Sequence, residues 1–105
     1  MTVAMGIRHR ASGEYEVVPV ATNETFRRVW LPACERLGLT LVPLFDGGAF
    51  FRLPPNLIPG VVSEVNALRE WASARPDGEP LAERCGEILA AFGRTDPESC
   101  DYDFG

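Results

Sequence analysis

The stretch 39–53, with the sequence LTLVPLFDGGAFFRL, holds the densest run of apolar and aromatic residues in the chain. It contains two apolar runs separated by Asp46-Gly47-Gly48, and Gly-rich turn residues between two such runs are typical of a β-hairpin. The first run, 39–45, is apolar at nearly every position, and a strand that is apolar on both faces must be covered on both. We therefore expect this hairpin to lie at the centre of a sheet with helices packed over it.

Two strands are predicted ahead of this stretch. Residues 2–10 alternate between apolar and polar positions, and a period of two with one apolar face marks a half-buried strand. A turn at 11–13 precedes a second apolar run at 14–20, and so short a link indicates an antiparallel pair. Because Pro19 has no N–H to donate to a neighbour, we expect the second strand to lie at an edge of the sheet or to end there.

Three helices are indicated by apolar residues that recur at helical spacing. The first covers 23–37, and Pro32 within it removes one backbone hydrogen bond, so we expect a kink or a break there. The second runs over about 59–75 and the third over about 80–93, each with a proline in its first turn. The predicted buried stripes are Phe26, Val29, Trp30, Ala33 and Leu37; Ile58, Val61, Val65, Leu68 and Ala72; and Leu81, Cys85, Ile88, Leu89 and Phe92.

The predicted order of elements is β-β-α-β-β-α-α, an α+β fold with one mostly antiparallel four-stranded sheet and helices packed on it. We expect a single domain over residues 1–105, because 105 residues with 46% apolar side chains are enough for one core.

The C-terminal tail, residues 94–105, interleaves acidic and aromatic residues. In an extended chain its aromatic residues would point to the same side as Cys100, while Asp101 and Asp103 would point to the other. The tail then either adds an edge strand to the sheet or contacts a partner through its carboxylates and Tyr102, and these two roles are compatible.

The net charge restricts the class of partner. Fifteen acidic residues against ten basic ones give a charge of −5, and every basic residue is an arginine. This balance argues against binding to nucleic acid, whose phosphates require basic side chains, and against anionic membranes. A protein with a basic surface is the partner that the charge favours.

The remaining composition indicates a cytoplasmic protein. The first ten residues alternate and do not form an apolar core, so we expect no signal peptide, and no apolar run has the roughly 20 residues that span a bilayer. Three cysteines at wide spacings form neither a disulfide framework nor a metal knuckle, and we expect reduced thiols.

No pattern of catalytic residues stands out. His9 is the only histidine, Cys34 and Cys85 read as core residues, and Cys100 has no neighbouring base in the sequence to activate its thiol. The acidic tail lacks the turn and the ligand count of a calcium loop, and we expect neither a metal nor a cofactor. Asp46-Gly47-Gly48 is not followed by the residues of a phosphate-binding loop.

The segments TFRRVWLPACERLGLTLVPLFDGGAFF and PNLIPGVVSEVNALREWA, together with the terminal DYDFG, resemble a group of small uncharacterised bacterial proteins of about this length. In size, acidity and α+β layout the chain is also similar to the immunity proteins of bacterial polymorphic-toxin systems. That resemblance implies a protein that binds and blocks a cognate toxin, often a basic nuclease, and it implies no catalytic residues.

We therefore expect a non-enzymatic binding protein, an immunity or inhibitor protein for a basic toxin. The candidate partner contacts are Asp46, Glu98, Asp101, Tyr102 and Asp103. An alternative is a structural subunit or homodimer that buries surplus apolar surface, including Trp30 and Trp71, against a second copy. A third hypothesis is a small enzyme that uses His9 with the tail carboxylates, which would have to converge in a pocket.

Overall fold

The computed structural model describes residues 2–46 and 51–105 and has an α+β fold. Its sheet is antiparallel and four-stranded, in the order β2-β1-β4-β3. The strands are β1 (Thr2–His9), β2 (Tyr15–Thr22), β3 (Phe51–Leu53) and β4 (Cys100–Phe104). The predicted fold class and the predicted number of strands are confirmed, and β2 lies at the edge, as Pro19 indicated.

The helices follow the predicted positions closely. The first helical segment consists of α1 (Asn23–Thr25), a π-helical turn (Phe26–Trp30) and α2 (Leu31–Leu37), and it is followed later by α3 (Ile58–Ser73) and α4 (Glu79–Gly93). Thr22 caps the first segment, because its hydroxyl accepts from the backbone N–H of Thr25 at 3.1 Å. Gly38 ends it in the left-handed conformation that glycine adopts without strain.

Of the kink or break expected at Pro32, the break does not occur, because the helical segment continues through Leu31–Leu37. The π-helical turn, in which Leu31 donates to the carbonyl of Phe26, lies immediately before it. Such a turn inserts an extra residue into the helix and accommodates a local loss of regular hydrogen bonding. The extra residue also rotates the apolar stripe, so Val29 is 45% exposed and Cys34 is buried in its place.

The predicted central hairpin is wrong in its first half. Instead of a strand, the chain forms a short 3₁₀ helix over Val42–Phe45. The side-chain carboxylate of Glu64 accepts hydrogen bonds from the backbone N–H groups of Thr40, Leu41 and Val42 at 2.9–3.3 Å. These donors are therefore not free to pair with a strand. Only β3 remains, at the edge of the sheet, and Gly47 and Gly48 of the expected turn lie outside the described residues.

The missing fourth strand is supplied by the tail. β4 lies between β1 and β3 and pairs with both, so the expectation of an edge position is wrong. The element order is accordingly β-β-α-β-α-α-β. The predicted alternation is confirmed, because Cys100, Tyr102 and Phe104 are buried while Asp101 and Asp103 lie on the opposite side.

The core lies between one face of the sheet and the helices. Phe45 from the 3₁₀ helix stacks on Phe104 of β4 with ring centroids 3.7 Å apart, and Phe92 of α4 contacts Tyr102 at 5.0 Å. The predicted stripe of α3 is fully buried. Along the described ranges, no helix combines the length and the apolar character that a membrane crossing needs.

Candidate protein-binding surface

The face of the sheet that points away from the core carries an ordered set of side chains. We call it the open face. The strand registers and the alternation along each strand place these residues on it: Ala4, Gly6 and Arg8 of β1; Tyr15, Val17 and Pro19 of β2; Arg52 of β3; and Asp101 and Asp103 of β4. An antiparallel sheet tolerates such a solvated face, where apolar residues are the informative exceptions.

Asp101 is paired with two arginines of its own chain. Its carboxylate accepts from Arg10 Nε at 3.2 Å and lies 3.3 Å from Arg52 Nη2. Arg8 is its direct neighbour on β1. The side chain of Asp101 is only 30% exposed, while those of Arg10 and Arg52 are 49% and 75% exposed. A partner would therefore meet the arginines before it met the carboxylate.

Asp103 is held by a tyrosine from the edge strand. The Tyr15 hydroxyl donates to its carboxylate, with oxygen–oxygen distances of 3.0 and 3.3 Å. Tyr15 can reach across β1 because Gly6, which lies between them, has no side chain. The Arg8 guanidinium lies 5.3 Å from the centroid of the Tyr15 ring. Partial burial, followed by the hydrogen bond to Asp103, raises the pKa of the Tyr15 hydroxyl.

An apolar strip lies beside these charges. Val17 is 59% exposed and Tyr15 is 43% exposed, and exposed Pro19 continues the strip along β2. On the other side of β1, a shallow pocket of 200 Å³ lies between Arg8, Arg52 and the tail strand. The open face thus joins an apolar strip to a charged area with a small concavity, within the span of four strands.

The other predicted contact residues lie elsewhere. Asp46 pairs with Arg27 Nε at 3.2 Å, and its side chain is only 14% exposed. Glu98 is exposed in the loop before β4, where its backbone N–H donates to Asp96 Oδ1. The predicted set therefore includes one adjacent pair, Asp101 and Asp103, and no continuous acidic patch.

Tyr102 is not positioned to contact a partner. It is 1% exposed, and its hydroxyl lies 2.7 Å from the Thr95 hydroxyl, beneath the C-terminal end of α4. The alternation along β4 that exposes its acidic neighbours directs the tyrosine ring into the core.

His9 does not meet the tail carboxylates that the enzyme hypothesis requires. Its Nε2 lies 2.7 Å from Glu16 Oε2 on β2, and its Nδ1 lies 3.4 Å from Cys100 Sγ on β4. Arg94, just after α4, pairs with the other oxygen of Glu16. The expectation that Cys100 has no neighbouring base is therefore wrong. Sequence reasoning also missed Glu16, although the alternation of β2 and the tight β1–β2 turn could have placed it near His9.

The Cys and Asp side chains of the tail strand point to different sides of the sheet. Nowhere in ranges 2–46 and 51–105 do three or more His, Cys, Asp or Glu side chains converge as a metal would require. In β4, Cys100 faces the core while Asp101 and Asp103 lie on the open face, so these ligand types cannot meet.

No protein-family model matches the chain, and comparisons with curated proteins and with solved structures likewise gave no match.

Proposed function

We propose that the chain is a non-enzymatic binding protein, an immunity or inhibitor protein that blocks a toxin with a basic surface. The observation that carries this proposal is the open face, where Val17 and Tyr15 are exposed beside the charged residues of β3 and β4. Protein interfaces combine a small apolar centre with a polar rim, and the open face offers both on a rigid sheet. Of the contact residues proposed from the sequence, Asp101 and Asp103 lie on this face.

The arrangement of charges on the open face favours specificity. Asp101 and Asp103 are fixed by Arg10, Arg52 and Tyr15, so a partner need not order them on binding. Because the arginines beside Asp101 are its outermost groups, a basic toxin must present acidic residues opposite them, and a contact patch that is uniformly basic is repelled. The net charge of −5 adds a long-range attraction to a basic toxin.

A homodimer is the second candidate, and the same face favours it. A two-fold axis brings one patch against its own copy, so a charged patch must carry both signs to complement itself. The open face has Arg8 and Arg52 close to Asp101 and Asp103, so it can be self-complementary. Light scattering at high micromolar concentration distinguishes the two candidates, since the inhibitor proposal expects a monomer.

The inhibitor proposal is tested first on the genes beside this one. A neighbour that encodes a basic, toxin-like C-terminal domain supplies the domain to be purified, and a neighbourhood without such a gene removes the support for the proposal. We expect binding by calorimetry, inhibition of the toxin, and a loss of affinity of at least tenfold in Val17→Asp. Val29→Asp is the matched control, because Val29 is 45% exposed on the first helical segment, away from the open face. If the toxin bound Val17→Asp and Val29→Asp with equal affinity, the open face would not be the binding surface. If the original chain failed to bind a basic toxin encoded by the adjacent gene, the inhibitor function would be rejected.

A further inference from the structure

The three cysteines lie in different environments. Cys34 and Cys85 are 0% exposed, and burial raises the pKa of both thiols to about 12, so neither is a nucleophile at neutral pH. Cys100 is 4% exposed, begins the last strand, and has the only imidazole of the chain beside it. It is therefore the one thiol among the three with a base in contact.

Cross-strand pairing produces this contact. His9 and Cys100 are direct partners in the antiparallel β1–β4 ladder, so both side chains point to the core side at the same end of the sheet. Glu16 approaches His9 from β2, on the other side of β1. Nδ1–Sγ and Nε2–Oε2 distances of 3.4 and 2.7 Å link the thiol, the imidazole and the carboxylate in sequence.

Arg94 keeps Glu16 ionised, and the ionised Glu16 determines which nitrogen of His9 carries the proton. Its hydrogen bond to Glu16, followed by that of His9, lowers the pKa of the Glu16 carboxyl to about 2, so the carboxylate is ionised at neutral pH. An ionised carboxylate only accepts hydrogen bonds, so Nε2 of His9 must carry the proton that it donates. In the neutral ring, Nδ1 is then the lone-pair nitrogen, and it faces the thiol. A nucleophile is activated by groups in this order: the thiol, a base that accepts its proton, and a carboxylate that orients the base.

From this geometry we propose that Cys100 is a reactive thiol and a site of covalent modification by small uncharged α,β-unsaturated carbonyl compounds. In the reaction the thiol proton passes to Nδ1 of His9, and the sulfur forms a bond to the β-carbon. The carbon–carbon π electrons move onto the carbonyl oxygen as an enolate. The imidazolium then returns the proton to the α-carbon, so that His9 is restored and nothing leaves.

The position of Cys100 limits the reagent to a small molecule. The His9 side chain that contacts the sulfur is 31% exposed, so one neighbour of Cys100 is itself open to solvent. Cys100 is also the first residue of its strand and follows the exposed loop residues 96–99, so a local opening that exposes the sulfur does not require the core to unfold. Cys34 and Cys85 lie inside α2 and α4, where exposure requires the helices to separate.

The test is alkylation of the folded full chain by N-ethylmaleimide, with the modified cysteine identified by peptide mass spectrometry. We expect Cys100 to react at least tenfold faster than Cys34 and Cys85. His9→Gln should slow Cys100 at least tenfold without changing the other two rates, because glutamine can hydrogen bond but cannot accept the thiol proton. Glu16→Gln, which removes the orienting carboxylate, should slow Cys100 by a smaller factor.

The comparison of cysteines within the unmodified protein does not depend on any variant folding. If all three react at one common rate, labelling requires global unfolding and the proposal is rejected. It is equally rejected if Cys100 reacts first but His9→Gln, with an unchanged circular dichroism spectrum, reacts as fast as the original chain.

Discussion

Gly6 lies beneath the Tyr15 ring on the open face, and its lack of a side chain allows the edge strand to reach Asp103. A Cβ atom at this position would overlap the Tyr15 hydroxyl and the Asp103 carboxylate, so both would have to move. Because both are side-chain ends on an exposed face, they can swing away, and we expect Gly6→Ala to lower the free energy of unfolding by about 0.5–1.5 kcal/mol, the usual net worth of the Tyr15–Asp103 hydrogen bond that is lost. Urea denaturation measures this change.

Gly93→Ala is the control for Gly6→Ala. A Cβ at Gly93 meets no atom within 4 Å, and alanine is the better helix former at the end of α4. This variant should be neutral or slightly more stable. If Gly6→Ala were also neutral, the packing of Tyr15 over Gly6 would not be maintained in solution.

Glu16 makes the stability of the folded protein depend on pH. Arg94, then His9, lowers the pKa of its carboxyl from 4.5 to about 2, so the charged form is favoured in the folded state. The resulting stabilisation is fully present above the pKa that Glu16 has in the unfolded chain. It is lost as the pH falls through the lower pKa that Glu16 has in the folded protein. We expect Glu16→Gln to be less stable than the original chain at pH 7, and the difference to shrink between about pH 4.5 and 2.

Thermal unfolding at a series of pH values measures this difference. Glu14→Gln is the control, because the side chain of Glu14 is exposed and pairs with no arginine among the described residues. A Glu16→Gln difference that stays constant down to pH 2 would show that the carboxylate does not act through its charge.

At the scale of elements, Glu64 connects α3 to the segment before the 3₁₀ helix. One carboxylate accepts from the N–H groups of three successive residues, Thr40, Leu41 and Val42. Charged acceptors make the stronger hydrogen bonds, and donors that lose their acceptor are costly when partly buried. We expect Glu64→Gln to lower the free energy of unfolding by about 1–3 kcal/mol, since the amide nitrogen cannot accept.

Glu70→Gln on the same helix is the matched control and should change stability by less than about 0.5 kcal/mol, as exposed substitutions do. Hydrogen exchange adds a local measurement, because only Glu64→Gln should increase exchange at Leu41 and Val42. Equal stability of the two variants would mean that water replaces the Glu64 carboxylate without loss.

The Glu64 carboxylate also explains why the conformation of segment 39–45 could not be predicted from the sequence. The stripes of α3 and α4 and the alternation of β1 could be predicted because each repeats one period along its own segment. The segment 39–45 is apolar at almost every position, so no period separates a buried strand from an irregular buried loop. Its conformation depends on Glu64, which lies more than twenty residues away.

The placement of the tail shows a related limit. Its alternation predicts a strand, but alternation does not say which strands lie beside it. Pairing of β4 with β1 joins residues 91 positions apart, and the contact between His9 and Cys100 follows only from that register. Asp101 and Asp103 were predicted to share a side of the tail, whereas the arginines that contact Asp101 were not predicted, because Arg10 and Arg52 come from distant parts of the chain.

For the whole molecule, the question is whether a toxin is attracted by total charge or by the open face. The outer side of α4 separates these effects, because its glutamates Glu79, Glu83 and Glu87 are exposed on a helix that packs against the opposite side of the sheet. Replacing all three with glutamine changes the net charge from −5 to −2 without altering the open face.

We expect this triple variant to associate with the basic toxin at least threefold more slowly at low ionic strength while dissociating at the original rate. Long-range charge controls encounter, whereas contacts within the interface control dissociation. Val17→Asp, which adds a charge inside the open face, should mainly accelerate dissociation. Surface plasmon resonance between 50 and 500 mM salt resolves both rates, because the screening length falls from about 14 Å to about 4 Å over this range. Faster dissociation of the triple variant would instead place the toxin contact on α4, because only residues within the interface alter that rate.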